Sequence, residues 1–302
     1  MADVYASNWS ETDASNNSAS PDGMPEGMAP SGVNDWGRAA AGAIKRYVNQ
    51  QIPKTTGGTS TAYTLSYSVA PGALVDGMTH LVQFNAANGA AATLNVNSLG
   101  AQPLRLFGGA LLPGCLVADQ IVQVRYNSSA GVYEIIPQDG GWVRLGMVDA
   151  SAASTVDFTG IPAGVNNLML LGEATVGTNA SSIGMQTYGT DAGIDTGGSD
   201  YSTVRTISFS ATTSTSTATG ASIGLSGSID SGTTGWSLMA TLVNIQASTY
   251  TKVNYQSQYT GGAVYAAVTG SGSRNEADRI TGIRLLPSAG NFTGKFTLLA
   301  SK

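Results

Sequence analysis

Charge is almost absent from two long stretches of this 302-residue chain, and that constrains the fold more than any motif does. Between Lys54 and Arg105 the only formally charged residue is Asp76, and between Arg205 and Lys252 it is Asp230. Helical proteins normally coat their surfaces with Lys and Glu. Here Ser, Thr, Asn, Gly and Ala take that place, as in all-β proteins with many turns and closely approaching backbones. Hydrophobic residues make up 42% of the chain, enough for a real core, so wholesale disorder is not expected.

Hydrophobic periodicity divides the chain into four segments. Residues 1–30 carry Pro21, Pro25 and Pro30 among Asp, Asn, Ser and Gly, which reads as an extended strap with apolar anchors at Tyr5, Trp9, Met24 and Met28. Residues 31–53 read as a short helix, with Ser31 suited to cap it and Pro53 to end it. Its apolar residues fall at Val33, Trp36, Ala40, Ala43/Ile44, Tyr47 and Val48, a narrow stripe of the a/d kind. So narrow a stripe on about five turns is marginal alone. It calls for its own copies around a threefold axis or for another protein.

Period two then takes over. In the small β domain expected over residues 54–139, strands are predicted at 63–67, 79–84, 92–96, 104–107, 121–126 and 132–136, the last two as a hairpin turning through Gly131. Residues 140–302 predict strands at 156–158, 168–176, 183–188, 204–209, 223–229, 236–243, 253–259, 263–268, 280–285 and 292–299. About ten short strands with regular turns suggest an antiparallel β-sandwich of the jelly-roll kind. The Ser/Thr tract 208–219 reads as a polar edge strand or a long loop.

A net charge of −5, a pI near 4.7 and no basic cluster beyond Lys45–Arg46 argue against nucleic acid binding. No run approaches the ~20 apolar residues of a membrane span, and the N-terminus lacks the basic and apolar regions of a signal peptide, so synthesis in a cytoplasm is expected. The single cysteine, Cys115, sits in an apolar run and reads as a small buried residue.

Candidate chemistry is sparse, and no cofactor or metal is expected. A catalytic triad would have to use His80, the only histidine, which lies at a strand start far from any Gly-x-Ser-x-Gly elbow; a structural role is the better reading. Glycan cleavage needs two carboxylates across a groove. Asp191, Asp195 and Asp200, or Glu276 and Asp278, offer candidates, yet all sit among Gly, Ser or Asn as ordinary turn acids do. The 191–200 loop lacks the ligand sequence of an EF-hand, so a structural turn is preferred to a calcium site. Glycan binding needs aromatic faces beside amides and hydroxyls. Tyr201, Tyr250 and Tyr265 are the candidates, while period two sends Tyr255 and Tyr259 toward a core.

Several phrases carry a resemblance. "SNWSETD" (7–13), "PDGMPEG" (21–27), "APSGVNDWGR" (29–38) and "GAIKR" (42–46) resemble the N-terminal virion-attachment segment of tail-fibre or receptor-binding-type virion proteins of tailed bacteriophages. "LNVNSLGAQPLRLFGGALLPGCLVADQIVQVRYNSSAGVYEI" (94–135) is similar to a small β module that recurs after that anchor. "VDFTGIPAGVNNLMLL" (156–171) and "ADRITGIRLLPSAGNFTGKFTLL" (277–299) are similar to phage terminal jelly-roll domains. The resemblance implies a non-enzymatic, homotrimeric structural protein of the virion, made in the host bacterial cytoplasm. It would dock on a tail, baseplate or other virion protein through residues 1–52 and present its C-terminal domain to a bacterial surface glycan or protein receptor. A head fibre, capsid decoration or neck appendage is the alternative position, and a polysaccharide-cleaving tailspike the alternative activity.

Overall fold

A computed structural model of the chain describes residues 4–5, 9–10, 12, 15–19, 22–137, 141–190, 193–209, 212–231, 235–246, 250–261 and 264–301. They fall into two compact units: Met1–Ala87 with Ala91–Arg105 and Val117–Pro137, and Asn88–Ala90 with Leu106–Leu116 and Gln138–Lys302. The fold is mainly β, in several sheets, with one helix among the described residues.

In the first unit, α1 (Pro30–Gln50) precedes β1 (Lys54–Thr55), β2 (Gly57–Thr59), β3 (Ala62–Leu65), β4 (Thr79–Gln83), β5 (Thr93–Val96) and β6 (Ala101–Leu106). After β7 (Gly109–Ala110), in a segment of the second unit, β8 (Ile121–Asn127) and β9 (Val132–Ile136) complete it. The strands pair in the order β1-β4-β8-β9-β6-β5-β3-β2. The predicted hairpin is β8–β9, with Tyr126 opposite Tyr133 and Gly131 at φ +61°. Alternation buries Tyr63 and Leu65 of β3, His80 and Val82 of β4, and Leu94 and Val96 of β5.

Two expectations for the N-terminal segments change. Ser31 does not cap α1: the N-cap is Ala29, with no side-chain cap, and Pro30 occupies the first turn. Proline has no N–H to satisfy there, and its fixed φ already suits the turn. The strap is also looped rather than plainly extended where it is described. Asn16 accepts from the Ser10 N–H at 2.8 Å and donates to the Ser10 carbonyl at 2.9 Å, imitating a strand pair with its side-chain amide. The Met24 N–H closes the loop on the Asn16 carbonyl.

The second unit continues with β10 (Val143–Ala153), β11 (Val156–Thr159), β12 (Asn167–Val176), β13 (Ile183–Tyr188), β14 (Tyr201–Phe209), β15 (Thr213–Gly220) and β16 (Ile223–Gly224). It ends with β17 (Trp236–Val243), β18 (Lys252–Gly261), β19 (Val264–Arg274), β20 (Gly282–Pro287) and β21 (Phe292–Ser301). Eight strands form one sheet, β10-β21-β12-β17-β18-β19-β14-β15, and four form another, β11-β20-β13-β16, with antiparallel ladders throughout. Trp236, Phe292 and Phe296 are buried between strand neighbours, with Phe292 and Phe296 ring centroids 5.4 Å apart.

Side chains of the larger sheet reach the backbone around the smaller one. The Tyr255 hydroxyl donates to the Gly224 carbonyl at 2.7 Å, and the Ser257 hydroxyl to the Leu225 carbonyl at 2.5 Å. Gly270, paired with Tyr255 across β18–β19, makes room for that ring: a Cβ there would lie inside contact distance of its tip. Gly270→Ala should therefore cost about 1–3 kcal/mol through overpacking. Urea unfolding monitored by fluorescence measures it, and an unchanged midpoint would contradict the assignment.

In the second unit the structure departs from the periodicity reading at two strands and resolves a third. β10 was not expected, because its register against β21 shifts between Arg144 and Gly146 and again between Ala150 and Ala153, which erases the alternation. The predicted 223–229 strand shrinks to Ile223–Gly224 plus an isolated bridge at Ile229. Of the two readings of the Ser/Thr tract, the edge strand holds over β15, where residues 213–220 pair with β14 from Ser208 to Tyr201.

Candidate binding groove

Sequence alternation builds a polar sheet surface from β14, β15, β18 and β19. Tyr201, Thr203, Val253, Tyr255 and Val268 point into the core, so Ser202, Val204, Asn254 and Ser271 must point out. Register then aligns them. One row runs Thr217–Val204–Ser271–Asn254 across the four strands, and the next runs Thr219–Ser202–Ser273–Lys252. These side chains line a groove of about 610 Å³. Hydroxyls and an amide dominate it, and Lys252 is its one ionisable side chain among the described residues.

Asn275, just past β19, holds one end in place. Its side-chain oxygen accepts from the Ser273 hydroxyl at 3.1 Å, and its amide donates to the Ser202 hydroxyl at 3.1 Å and the Ser199 carbonyl at 2.7 Å. Lys252 Nζ lies 5.7 Å from the Tyr250 ring centroid. Tyr250 is 49% exposed, so one of the tyrosines expected to meet a glycan stands beside the groove. Tyr265, 57% exposed, shares the outward parity of Ser271 but lies six residues along β19, outside the lining. Tyr201 must be withdrawn from that list. It is fully buried, and its hydroxyl accepts from the Thr187 N–H at 2.7 Å and donates to the Asp195 carbonyl at 3.2 Å. Tyr255 and Tyr259 are core residues, as period two predicts.

The described acids considered for catalysis have structural partners instead. Arg274 is completely buried, and its guanidinium pairs with Asp195 (2.5 Å), Glu276 (2.9 Å) and Asp278. Burial alone would lower the Arg274 pKa, but Asp195 and Asp278 outweigh it and hold the cation charged. The Asp278 carboxyl, despite a desolvation that opposes it, is drawn below its usual range by Arg274 and by the Thr190 N–H and hydroxyl. Glu276 moves the other way, raised by burial and by the Asp195 charge. Asp200 accepts from the Gly197 N–H at 2.5 Å, a turn contact. Asp191 lies outside the described residues. Among the described residues, no three His, Cys, Asp or Glu side chains converge in a metal-holding arrangement.

His80 sits in the first unit's core, with Nδ1 at 3.0 Å from the Tyr67 hydroxyl and Nε2 buried without a partner among the described residues. Desolvation lowers its pKa to about 4. Cys115 is buried, its thiol donates to the Arg144 carbonyl, and burial pushes its pKa up to about 12 despite Arg144 nearby. Neither side chain is among those lining the groove across β14, β15, β18 and β19.

On α1, Ala43 is buried while Val33, Ile44, Tyr47 and Val48 are between 39% and 55% exposed. Trp36 and Ala40 are half-buried. The narrow stripe is thus real in sequence and largely uncovered within one chain. Tyr5 packs edge-on against Tyr47 at 5.9 Å, its hydroxyl accepting from the Thr79 N–H, so it belongs partly to its own chain. Trp9 is half-buried, with an indole N–H that finds no acceptor among the described residues. Met24 is exposed and Met28 half-exposed.

Sequence reasoning missed Arg274, Asn275 and the groove. Their one local trace is the Ser-Arg-Asn-Glu cluster at 273–276, which reads as a turn until pairing places it. In comparisons with known proteins, no family description and no curated sequence matches this chain. No helix is long and apolar enough to cross a membrane among the described residues.

Proposed function

We propose that the chain is a non-enzymatic virion protein of a tailed bacteriophage, a homotrimeric fibre that docks by its N-terminal segments and carries a jelly-roll-type β-sandwich for host-surface recognition. The apolar stripe left uncovered on α1 carries this reading. A helix of 21 residues spans about 30 Å, and a seam of Val33, Trp36, Ala40, Ile44 and Tyr47 along it suits knobs-into-holes packing with its own copies. The strap before it, with Trp9, Met24 and Met28 not fully buried, supplies apolar contacts for a virion partner. The two antiparallel sheets of the second unit, joined by Tyr255 and Ser257, support the sandwich. Because Asp195 and Asp278 are engaged by the buried Arg274 rather than facing a groove, binding is favoured over hydrolysis.

Deleting residues 1–30 should leave a folded trimer by sedimentation that no longer enters virions. Normal incorporation of that truncation would overturn the anchoring role. Ile44→Asp together with Tyr47→Asp should convert the trimer to monomer, since two carboxylates would be buried per chain in the seam.

A further inference from the structure

We infer that the groove across β14, β15, β18 and β19 binds an extended polyhydroxylated chain bearing a carboxylate, an acidic polysaccharide segment, with the carboxylate at Lys252. This inference deepens the host-recognition reading and rests on it. Three observations carry it. First, the lining hydroxyls and the Asn254 amide donate and accept alike, which matches sugar hydroxyls; the rows lie about 7 Å apart along the strands and recur every ~4.8 Å across them. Second, Lys252 makes no ion pair among the described residues, and no carboxylate lines the groove. A lone ammonium among neutral donors selects an isolated anionic group, whereas a nucleic acid backbone would need several cations. Third, the site is organised beforehand: Asn275 fixes the Ser202 and Ser273 hydroxyls, and the Lys252 ammonium lies over the half-exposed Tyr250 ring.

The surface is also the wrong kind for a second copy of the chain. Among the outward side chains of its two rows, only Val204 is apolar, so little hydrophobic area would be buried by self-association.

The test is calorimetric titration of the full chain with a hexuronic acid oligosaccharide and with the same oligosaccharide after reduction of its carboxyl groups. The acid should bind about tenfold more tightly than the reduced form, as expected for one charge-assisted contact. Lys252→Met should remove that preference while leaving affinity for the reduced form unchanged. Asn254→Ala with Ser271→Ala should weaken both ligands about tenfold. All three side chains are exposed, so melting temperatures should match the parent. Binding by the parent with no effect of these variants overturns the groove and leaves host recognition standing. Failure of the parent to bind either form overturns the groove, while attachment of the protein to host cells reads the broader role separately. Groove variants that change the sedimentation of the trimer would assign the surface to a second copy and overturn the inference.

Discussion

Arg274→Met should lower the melting temperature of the second unit by on the order of 10 °C. The guanidinium has no solvent exposure and sits between Asp195, 10% exposed, and Asp278. Removing it leaves two desolvated carboxylates side by side, and breaking a buried pair from one side typically costs about 3–5 kcal/mol. Calorimetry checks this, and a shift below about 2 °C would show that the cluster contributes little. A triple variant that adds Asp195→Asn and Asp278→Asn should recover much of the loss, because the uncompensated charges go with the cation. Glu276→Gln should cost far less, since its side chain is 44% exposed and its charge is partly screened. The sign with pH follows from Asp278, whose folded pKa is depressed: its contribution is present at neutral pH and lost as pH falls through that lowered value. Asp195 and Asp278 lie in connections between strands, so the variant should also expose residues 193–200 and 275–281 to proteolysis first.

Acid should destabilise the first unit through His80. Its pKa is about 4 when folded and 6.5 when free, so the unfolded chain binds the extra proton between those values. Stability from this group is therefore intact above about pH 6.5 and declines until about pH 4, by about 3 kcal/mol in all. His80→Phe keeps an aromatic ring against Tyr67 and Tyr133 and should flatten the unfolding midpoint across that window. Denaturant melts at pH 7, 5.5 and 4 would decide it, and an equally steep decline in the variant would assign the acid sensitivity to other groups. The Tyr67 hydroxyl loses its partner in His80→Phe, so the variant should start about 1 kcal/mol less stable at neutral pH.

Much of the strand content was legible in the chain, for a local reason. Where one face of a strand is buried and the other wet, as at Leu168–Val176, Trp236–Val243 and Val253–Tyr259, alternation records the fold directly. The α1 stripe was legible at period 3.6, although most of it is exposed in the structure. Strands without that contrast were hidden, as β10 was, or left open between strand and loop, as β15 was. β10 loses its period at two register shifts, and β15 has no apolar face because it lies at the sheet edge. Tyr201 looked like an exposed ring beside an acidic loop, and only the packing of β14 over β13 turns it inward to Thr187.

By itself, then, the sequence determined a β-rich chain with scarce surface charge, one helix with a narrow apolar seam and strands placed by their alternation. These depend on neighbours two to four residues apart. Only the tertiary structure decided which strands pair, and hence the groove, because Thr217, Val204, Ser271 and Asn254 come from four separate strands and meet through register alone. It also decided that Arg274 gathers Asp195, Glu276 and Asp278, joining residues 79 positions apart in one buried ion cluster. Pairing across such distances depends on the closure of long loops and on the competition among all possible registers, which no short window of sequence contains.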